Sequence, residues 1–352
     1  MPVRRILRED CVGETRAVAF DGAGLPVALW LDRWSDRLTG RLRVGDVRDA
    51  RIRSLDPALR GGFADLGPGR GTAFIRLPNG HGLTEGQTVR FRVEAEANRT
   101  KLPRGVLAQN AILHRVGFDD WCAFLPGGKA AAVDAVSPGA EDVRHAFEDV
   151  LAREVPIPNG GIMTIERTTA LTAADVDSSG RTGRGSAASR ALQINSDAAR
   201  ELARQVSLRG LGGLVVLDCV APINPDSGRR VRDAFLAAWQ DISLRNARAE
   251  PPSAFGLLET SIAWGQTPVE DLLAEADGTP LPEAACLDGL RSLETALSRN
   301  RMDTATLRLP AHAHDAYQWM TAAGLDLPGA LAEKYGPRFQ ILAADIPQPE
   351  VA

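Results

Sequence analysis

The stretch "NSDAARELARQVSLRGLGGLVVLDCV", residues 195–220, joins a helical pattern to an apolar run and so decides the fold class. The first part predicts a helix that has Asn195 or Ser196 as its cap and one apolar face. That face consists of Ala198, Leu202 and Val206. The continuous apolar run that follows is typical of a strand covered on both faces.

The preceding stretch, "GGIMTIERTTALTAADV" (160–176), predicts two more strands. A strand, a helix and a second strand in succession predict a right-handed parallel crossover. Asp175 and Asp218 would then lie at the carboxyl ends of parallel strands, on the same edge of one sheet. Ligands bind at that edge in open α/β sheets, so we expect a functional site there.

Two aspartates on adjacent strands could hold one metal ion, because paired strands lie about 4.8 Å apart. Mg²⁺ is commonly bound by one or two carboxylates together with waters and substrate phosphates. We therefore predict Asp175 and Asp218 as catalytic metal ligands, with Asp177 as an outer catalytic participant. For a single strand-end aspartate, a turn or a helix cap is the alternative. A calcium loop is excluded, since Ser186 stands where the loop needs a Glu.

The loop "SSGRTGRG" (178–185) follows these aspartates and carries two arginines, Arg181 and Arg184. Residues 181–210 hold six Arg against two acidic residues. A basic patch of this kind can attract a polyanion although the net charge of the whole chain is −4. We expect Arg181 and Arg184 to contact such a polyanion, with an ordinary solvated surface as the alternative.

Short alternating runs separated by glycine-rich turns occupy residues 38–110 and predict a small closed β-barrel. Phe63 and Phe74 flank one of its turns. Exposed barrel aromatics can stack on unpaired bases, and core packing is the equally weighted alternative for this pair. Lys101 and Arg99 follow the last barrel strand and could meet phosphates.

The composition of the 352 residues is that of a soluble globular protein, with 44% hydrophobic and 24% charged residues. The charged N-terminus is unlike a signal peptide, and no run approaches the length of a membrane span. The four cysteines lie far apart, which argues against disulfides and cysteine-built zinc sites. These features favour a cytoplasmic location and no membrane partner.

Taken together, these segments resemble the bacterial ribonuclease E/G family of endoribonucleases. The resemblance is strongest over "PNGGIMTIERTTALTAADVDSSGRTGRG", "NSDAARELARQVSLRGLGGLVVLDCV" and "FGLLE". It implies an S1-type OB barrel inserted into a ribonuclease-H-like subdomain, and a deoxyribonuclease-I-like catalytic subdomain with Mg²⁺ on two aspartates. Those aspartates match Asp175 and Asp218. The family's base-stacking aromatics match Phe63 and Phe74, and a nearby lysine matches Lys101.

The chain departs from the family pattern in four places. Asp177 stands where the family has Asn, and "ASR" (188–190) replaces a pair of glutamates. The family's basic segment and zinc link are replaced by "TSIAWGQTPVEDLL" (260–273), so we expect no zinc. The interval 111–158 is short where the family places its sensor for a 5′-monophosphate, so we expect the 5′ end to be ignored.

We therefore expect an α+β multidomain protein that cuts single-stranded RNA with Mg²⁺, in rRNA or mRNA processing or decay. A catalytically silent RNA-binding relative is the alternative, and a homodimer is left open. The expected divisions are as follows: N-terminal strands of the ribonuclease-H-like subdomain (1–37), OB barrel (38–110), remainder of that subdomain (111–158), catalytic subdomain (159–263), linker (264–284) and a small C-terminal α/β domain (285–352).

Overall fold

The computed structural model describes residues 1–178, 186–299 and 302–352. The chain begins with three antiparallel strands and a helical turn: β1 (Val3–Cys11), β2 (Glu14–Asp21), β3 (Pro26–Arg33) and α1 (Asp36–Thr39). The dipeptide Asp21-Gly22 begins the turn that joins β2 to β3.

A closed five-stranded barrel follows and confirms the barrel predicted from the alternating runs. Its strands are β4 (Val47–Asp56), β5 (Gly61–Asp65), β6 (Thr72–Arg76), β7 (Thr88–Ala95) and β8 (Arg104–Leu107). They close in the order β4-β5-β6-β8-β7, which is consistent with an OB fold. Alternate residues point inward, and Ile52, Ile75 and Phe91 are completely buried in the barrel core.

The chain then returns to the first sheet through α2 (Phe118–Ala123), a 3₁₀ turn (Gly128–Ala130), β9 (Ala132–Val136) and α3 (Glu141–Asp149). Strand β9 pairs in parallel with β1 and completes a four-stranded sheet of order β3-β2-β1-β9. The barrel is therefore inserted in the chain between two strands of one sheet.

A six-stranded mixed sheet forms the next layer. Its elements are β10 (Glu154–Pro156), β11 (Ile162–Arg167), β12 (Leu171–Asp177), α4 (Ala187–Leu208), β13 (Gly213–Asp218), α5 (Pro225–Ile242), β14 (Ala247–Ala249) and β15 (Leu257–Ile262). The strand order is β10-β11-β12-β13-β15-β14, and β12 pairs with β13 in parallel, as the crossover predicts. Both helices contribute to the apolar core that covers one face of this sheet.

Two sequence-based expectations for this layer were wrong. Helix α4 begins at Ala187 with Ser186 as its cap, nine residues before the earliest predicted start, so neither Asn195 nor Ser196 is a cap. Strand β13 is buried on one face only, because Leu214 is 42% exposed while Val215 and Leu217 are fully buried. An uninterrupted apolar run does not reveal whether both faces of a strand are covered.

The last part of the chain comprises α6 (Val269–Leu273), α7 (Pro282–Arg299), β16 (Ala305–Pro310), α8 (Ala311–Ala322), α9 (Leu327–Tyr335), β17 (Phe339–Ala344) and β18 (Glu350–Val351). The elements from α7 onward pack around a further apolar core, to which Val12 between β1 and β2 contributes. Val269 and Leu273 of α6 pack instead in the core beside the first sheet. The three strands form a sheet of order β17-β16-β18. Within the described ranges, no helix has the length and apolar character needed to cross a membrane.

Candidate functional site

The parallel pairing of β12 with β13 brings Asp175 and Asp218 together. The last recorded pair in this register is Ala174 with Leu217, so the next step along both strands places Asp175 beside Asp218. Their buried predecessors face the core, and both aspartates are exposed on the opposite face. At about 4.8 Å between strands, two side chains at one level of one face are neighbours.

Uncharged residues flank the two aspartates within the sheet. Thr164 of β11 lies opposite Asp175, and Leu257 of β15 lies opposite Asp218. In the described part of the chain, neither carboxylate forms a hydrogen bond or ion pair with another side chain. The two carboxylates thus have no neighbouring cation in the sheet to neutralise them.

Asp177 occupies the end of β12, two residues after Asp175, and is exposed on the same face. Its partner across the strand pair is Ile162 of β11. The sheet therefore places Asp177 near the aspartate pair but one step further along the strand. Arg181 and Arg184, which we expected to contact RNA, lie outside the described residues.

Asn195, one of the two residues predicted to cap a helix, supports the main chain next to Asp218. Asn195 lies inside α4 and is 1% exposed. Its Nδ2 donates a hydrogen bond of 2.9 Å to the carbonyl of Val220, and its Oδ1 accepts one of 2.8 Å from the Val220 amide. Asn195 thereby fixes the main chain two residues beyond Asp218. The sequence contains one indication of this role, because Asn195 lies three residues before Ala198 and seven before Leu202, on the apolar face of the helix.

The donor set at this edge suits a hard divalent cation. In the part of the chain that the structure describes, no group of three or more His, Cys, Asp or Glu could enclose a metal. Mg²⁺ does not need such a cage, since one or two carboxylates plus substrate phosphates and waters are its usual ligands. Asp175 and Asp218 fit that mode of binding, which leaves coordination positions for a phosphate.

Phe63 and Phe74 form a pair on the outside of the barrel. They lie directly opposite each other on β5 and β6, with ring centroids 5.4 Å apart and ring planes inclined at 64°. Both are half-buried, while Ala64 and Ala73 point into the barrel core. Gly61 lies beneath the Phe74 ring, and a Cβ at that position would overlap it. The pair is therefore a surface feature rather than part of the barrel core.

Lys101 lies where the barrel meets the segment after β15. Its Nζ is 4.7 Å from the centroid of the Trp264 ring, and the side chain is exposed. Neighbouring contacts join the same two segments: the Glu96 amide donates to the Gly265 carbonyl at 2.8 Å, and the Thr267 hydroxyl donates to the Glu96 carboxylate at 3.0 Å. This segment therefore holds the barrel against the six-stranded sheet.

Arg99 also takes part in the contact between the barrel and the segment after β15. Its Nε lies 3.2 Å from a carboxylate oxygen of Asp271, and its guanidinium also donates to the Ala274 carbonyl. Lys101 is thus the more accessible of the two basic residues that follow the barrel, because its ammonium group contacts an aromatic face instead of a carboxylate.

Comparison with known proteins identifies the segment that contains the aspartate pair. Residues 139–262 match the model of the ribonuclease E/G family. A stretch of 123 residues is 40% identical to ribonuclease E of Haemophilus influenzae, covering 34% of this chain and 13% of that protein. A stretch of 161 residues is 30% identical to the chloroplastic ribonuclease E/G-like protein of Arabidopsis thaliana, covering 45% of this chain and 16% of that protein.

Ribonuclease G of Escherichia coli is 28% identical over 132 residues, which cover 38% of this chain and 27% of that protein. The matched stretches thus span 13%, 16% and 27% of the length of these three relatives. The similarity includes the strands of Asp175 and Asp218, the helix between them and Asn195.

Proposed function

Because residues 139–262 match the ribonuclease E/G family, we propose that this chain is an endoribonuclease that hydrolyses single-stranded RNA with the help of Mg²⁺. The observation that carries the proposal is the position of Asp175 beside Asp218 on parallel strands inside the matched segment. The names of the relatives support RNA as the substrate, and the geometry of the pair supports a divalent cation.

Asp175 and Asp218 would hold the ion on the exposed face of the sheet. When bound, Mg²⁺ polarises a phosphodiester and lowers the pKa of an attacking water. Asp177 on the same face would orient groups near the scissile bond through its carboxylate. Asn195 keeps the backbone after Asp218 in place, so that the carboxylate of Asp218 does not drift with the loop beyond it.

The barrel would hold the RNA strand. An aromatic pair on an outer barrel face can stack on bases of any sequence, at about 1–3 kcal/mol for each base. Phe63 and Phe74 supply such a surface, and Lys101 supplies a cation at the joint with the catalytic sheet. In this proposal the barrel is of the S1 type and the six-stranded sheet is the core of a deoxyribonuclease-I-like catalytic subdomain.

The direct test is incubation of the purified protein with an unstructured RNA, with and without Mg²⁺, followed by analysis of the ends produced. Internal cleavage that needs Mg²⁺ and is lost in Asp175→Asn supports the proposal. RNA binding without cleavage under any metal condition would contradict it and assign the chain to catalytically silent RNA-binding relatives.

Two finer expectations belong to the same proposal. We propose that cleavage is independent of the 5′ end, which predicts equal rates for one RNA that carries a 5′-hydroxyl, a monophosphate or a triphosphate. We also propose that the protein acts in the cytoplasm without structural zinc, so that any homodimer forms through protein surfaces alone. Metal analysis that finds one zinc for two chains would contradict the second expectation.

A further inference from the structure

A small pocket lies where the chain passes from the first sheet into the barrel. It has a volume of about 130 Å³. Helix α1, the start of β4, the loop between β5 and β6 and the segment after β8 all contribute to its walls. Five arginines line it, and we call it the arginine pocket: Arg37, Arg41, Arg48, Arg70 and Arg115.

The two acidic residues in its walls are already engaged by arginines. Asp49 accepts two hydrogen bonds from Arg90, at 2.8 and 3.1 Å, and these bonds lower the pKa of Asp49. Asp36 is buried and accepts from Arg43 at 2.9 Å and from Arg41 at 3.4 Å. The carboxylates therefore do not neutralise the remaining arginines of the pocket.

Three of the five arginines have a carboxylate within 4 Å, and none of these contacts is shorter than 3.3 Å. The guanidinium of Arg48 lies 3.4 Å from Asp46, and that of Arg115 lies 3.9 Å from Asp32. Within the described residues, the side chains of Arg37 and Arg70 have no hydrogen-bonding or ionic partner. The pocket thus gathers more positive charge than its own acids offset.

The backbone beside the pocket holds Arg70 in place. Gly40 ends α1 with φ of 70°, a left-handed conformation that favours glycine. A Cβ on Gly40 would lie 2.7 Å from Cγ of Arg70, so the aliphatic part of Arg70 packs directly on the glycine backbone. This contact brings an arginine of the β5–β6 loop against α1, which is 30 residues earlier in the chain.

Size and charge together select the ligand. A cavity needs about 10–15 Å³ on this measure to hold one water, so the pocket is large enough for one tetrahedral anion with its remaining hydration. Arginine is the preferred partner of phosphate, because its planar guanidinium donates two parallel hydrogen bonds.

We propose that the arginine pocket binds one phosphate group, and that an RNA phosphodiester supplies it. This rests on the proposed function for the choice of RNA. Leu66 lines the pocket and follows Phe63 by three residues, about 10 Å along the strand. A strand of RNA that stacks on the outer barrel face therefore has phosphates within reach of the pocket.

The test compares the double variant Arg37→Ala/Arg70→Ala with wild type in binding to a short unstructured RNA, in EDTA and over a series of salt concentrations. Each phosphate contact contributes about 0.7 to the slope of log K against log salt for single strands. We expect affinity to fall roughly tenfold and the slope to fall by about 0.7. The variant Arg37→Lys/Arg70→Lys should keep the slope, because the charges remain.

The matched control is Arg4→Ala/Arg308→Ala, which removes two exposed arginines on other sheets and changes the net charge equally. This control should bind RNA as wild type does. Equal weakening by both double variants would overturn the proposal, since the effect would then be one of net charge. An unchanged slope in Arg37→Ala/Arg70→Ala would show that no RNA phosphate binds in the arginine pocket, and would overturn the proposal that RNA supplies the phosphate.

Titration with inorganic phosphate distinguishes the two sources of the ligand. Competition between phosphate and RNA at wild type, lost in Arg37→Ala/Arg70→Ala, supports one shared site. Binding of phosphate with no effect on RNA would assign the pocket to a free anion and contradict the RNA source. All binding is measured in EDTA, so the binding result does not depend on cleavage. A wild type that binds RNA but does not cut it when Mg²⁺ is added would disprove the endoribonuclease and leave the binding result standing.

Discussion

Two groups of carboxylates in this molecule have opposite surroundings. Glu14 is 1% exposed and contacts three arginines, whereas Asp175 and Asp218 are exposed and have no arginine beside them in the sheet. The same chemical group is structural in one place and available in the other. Burial and pairing decide which role a carboxylate has.

The buried carboxylate of Glu14 joins the N-terminal sheet to helix α7. The carboxylate of Glu14 on β2 accepts from Arg16 at 2.7 Å, from Arg33 at 2.9 Å and from Arg291 of α7 at 2.6 Å. Arg291 also donates to Glu9 at 2.7 Å. These contacts attach the C-terminal unit to the first sheet, and they satisfy charges that would be costly to bury alone.

Among the described residues, the exposed pair lacks such compensation, as expected for carboxylates that bind a cation. The comparison teaches that a search for catalytic carboxylates should discount those saturated by arginine. By that criterion Glu14 is structural, although three arginines hold its pKa well below its ordinary value. The predictions below separate the two groups by measuring stability and activity independently.

The largest expected effect is on stability. Glu14→Gln leaves Arg16, Arg33 and Arg291 buried without their shared carboxylate, which should lower the free energy of unfolding by about 3 to 5 kcal/mol. The matched control is Glu148→Gln, which breaks the exposed pair with Arg144 and should cost less than about 1 kcal/mol. Urea unfolding measures both, and similar losses in the two variants would contradict the comparison.

The same network predicts a dependence on pH. Burial alone would raise the pKa of Glu14, but the charges of Arg16, Arg291 and Arg33 outweigh it and hold this pKa well below its ordinary value. The network therefore stabilises the folded state above about pH 4.3, the pKa of a free Glu, and this stabilisation is lost as the pH falls further. Acid unfolding of Glu14→Gln should be less steep than that of wild type.

The second prediction concerns a variant that loses activity but keeps its stability. Asp218→Asn should reduce RNA cleavage at least about 10³-fold, equivalent to about 4 kcal/mol, because a metal-binding charge is lost. Its exposure implies a change in unfolding free energy within about 0.5 kcal/mol. The control Glu154→Gln alters an exposed carboxylate on the edge strand β10 and should leave both quantities unchanged. Wild-type cleavage by Asp218→Asn would refute the metal site.

The third prediction concerns Asn195, whose replacement should affect both stability and activity. Asn195→Ala removes both hydrogen bonds to Val220 and should cost about 1 to 3 kcal/mol of stability, because buried backbone groups lose their partners. It should also raise the Mg²⁺ concentration needed for half-maximal cleavage, with RNA binding unchanged. The control Asn246→Ala changes an exposed amide and should alter neither. A stability loss with an unchanged Mg²⁺ requirement would limit Asn195 to a structural role.

The smallest expected effect concerns the barrel. Phe63→Ala should weaken binding of single-stranded RNA by about 1 to 3 kcal/mol if the ring stacks on one base. The barrel should remain folded, since Phe63 lies outside its core. Trp319→Ala changes a half-exposed aromatic of the C-terminal unit and serves as the control. Unfolding of the barrel instead of loss of binding would show that the ring is part of the core.

Local pattern was sufficient to predict much of the candidate site. The two strands predicted before α4, the helix itself and the continuous apolar run after it predict a parallel pair with Asp175 and Asp218 at one edge, and the register agrees. The alternation in residues 38–110 similarly predicts a closed barrel, and the barrel is present. These features follow from sequence because they depend on neighbours in the chain and on the fixed handedness of the crossover.

Only the tertiary structure decided which residues support the site and which surfaces stay open. Asn195 contacts Val220 because α4 packs on the sheet, and Arg291 reaches Glu14 across 277 residues of chain. The uncovered face of β13 likewise follows from where the helices pack. Such contacts join residues that are distant in sequence, and no local periodicity encodes which side chains meet when separate elements pack together.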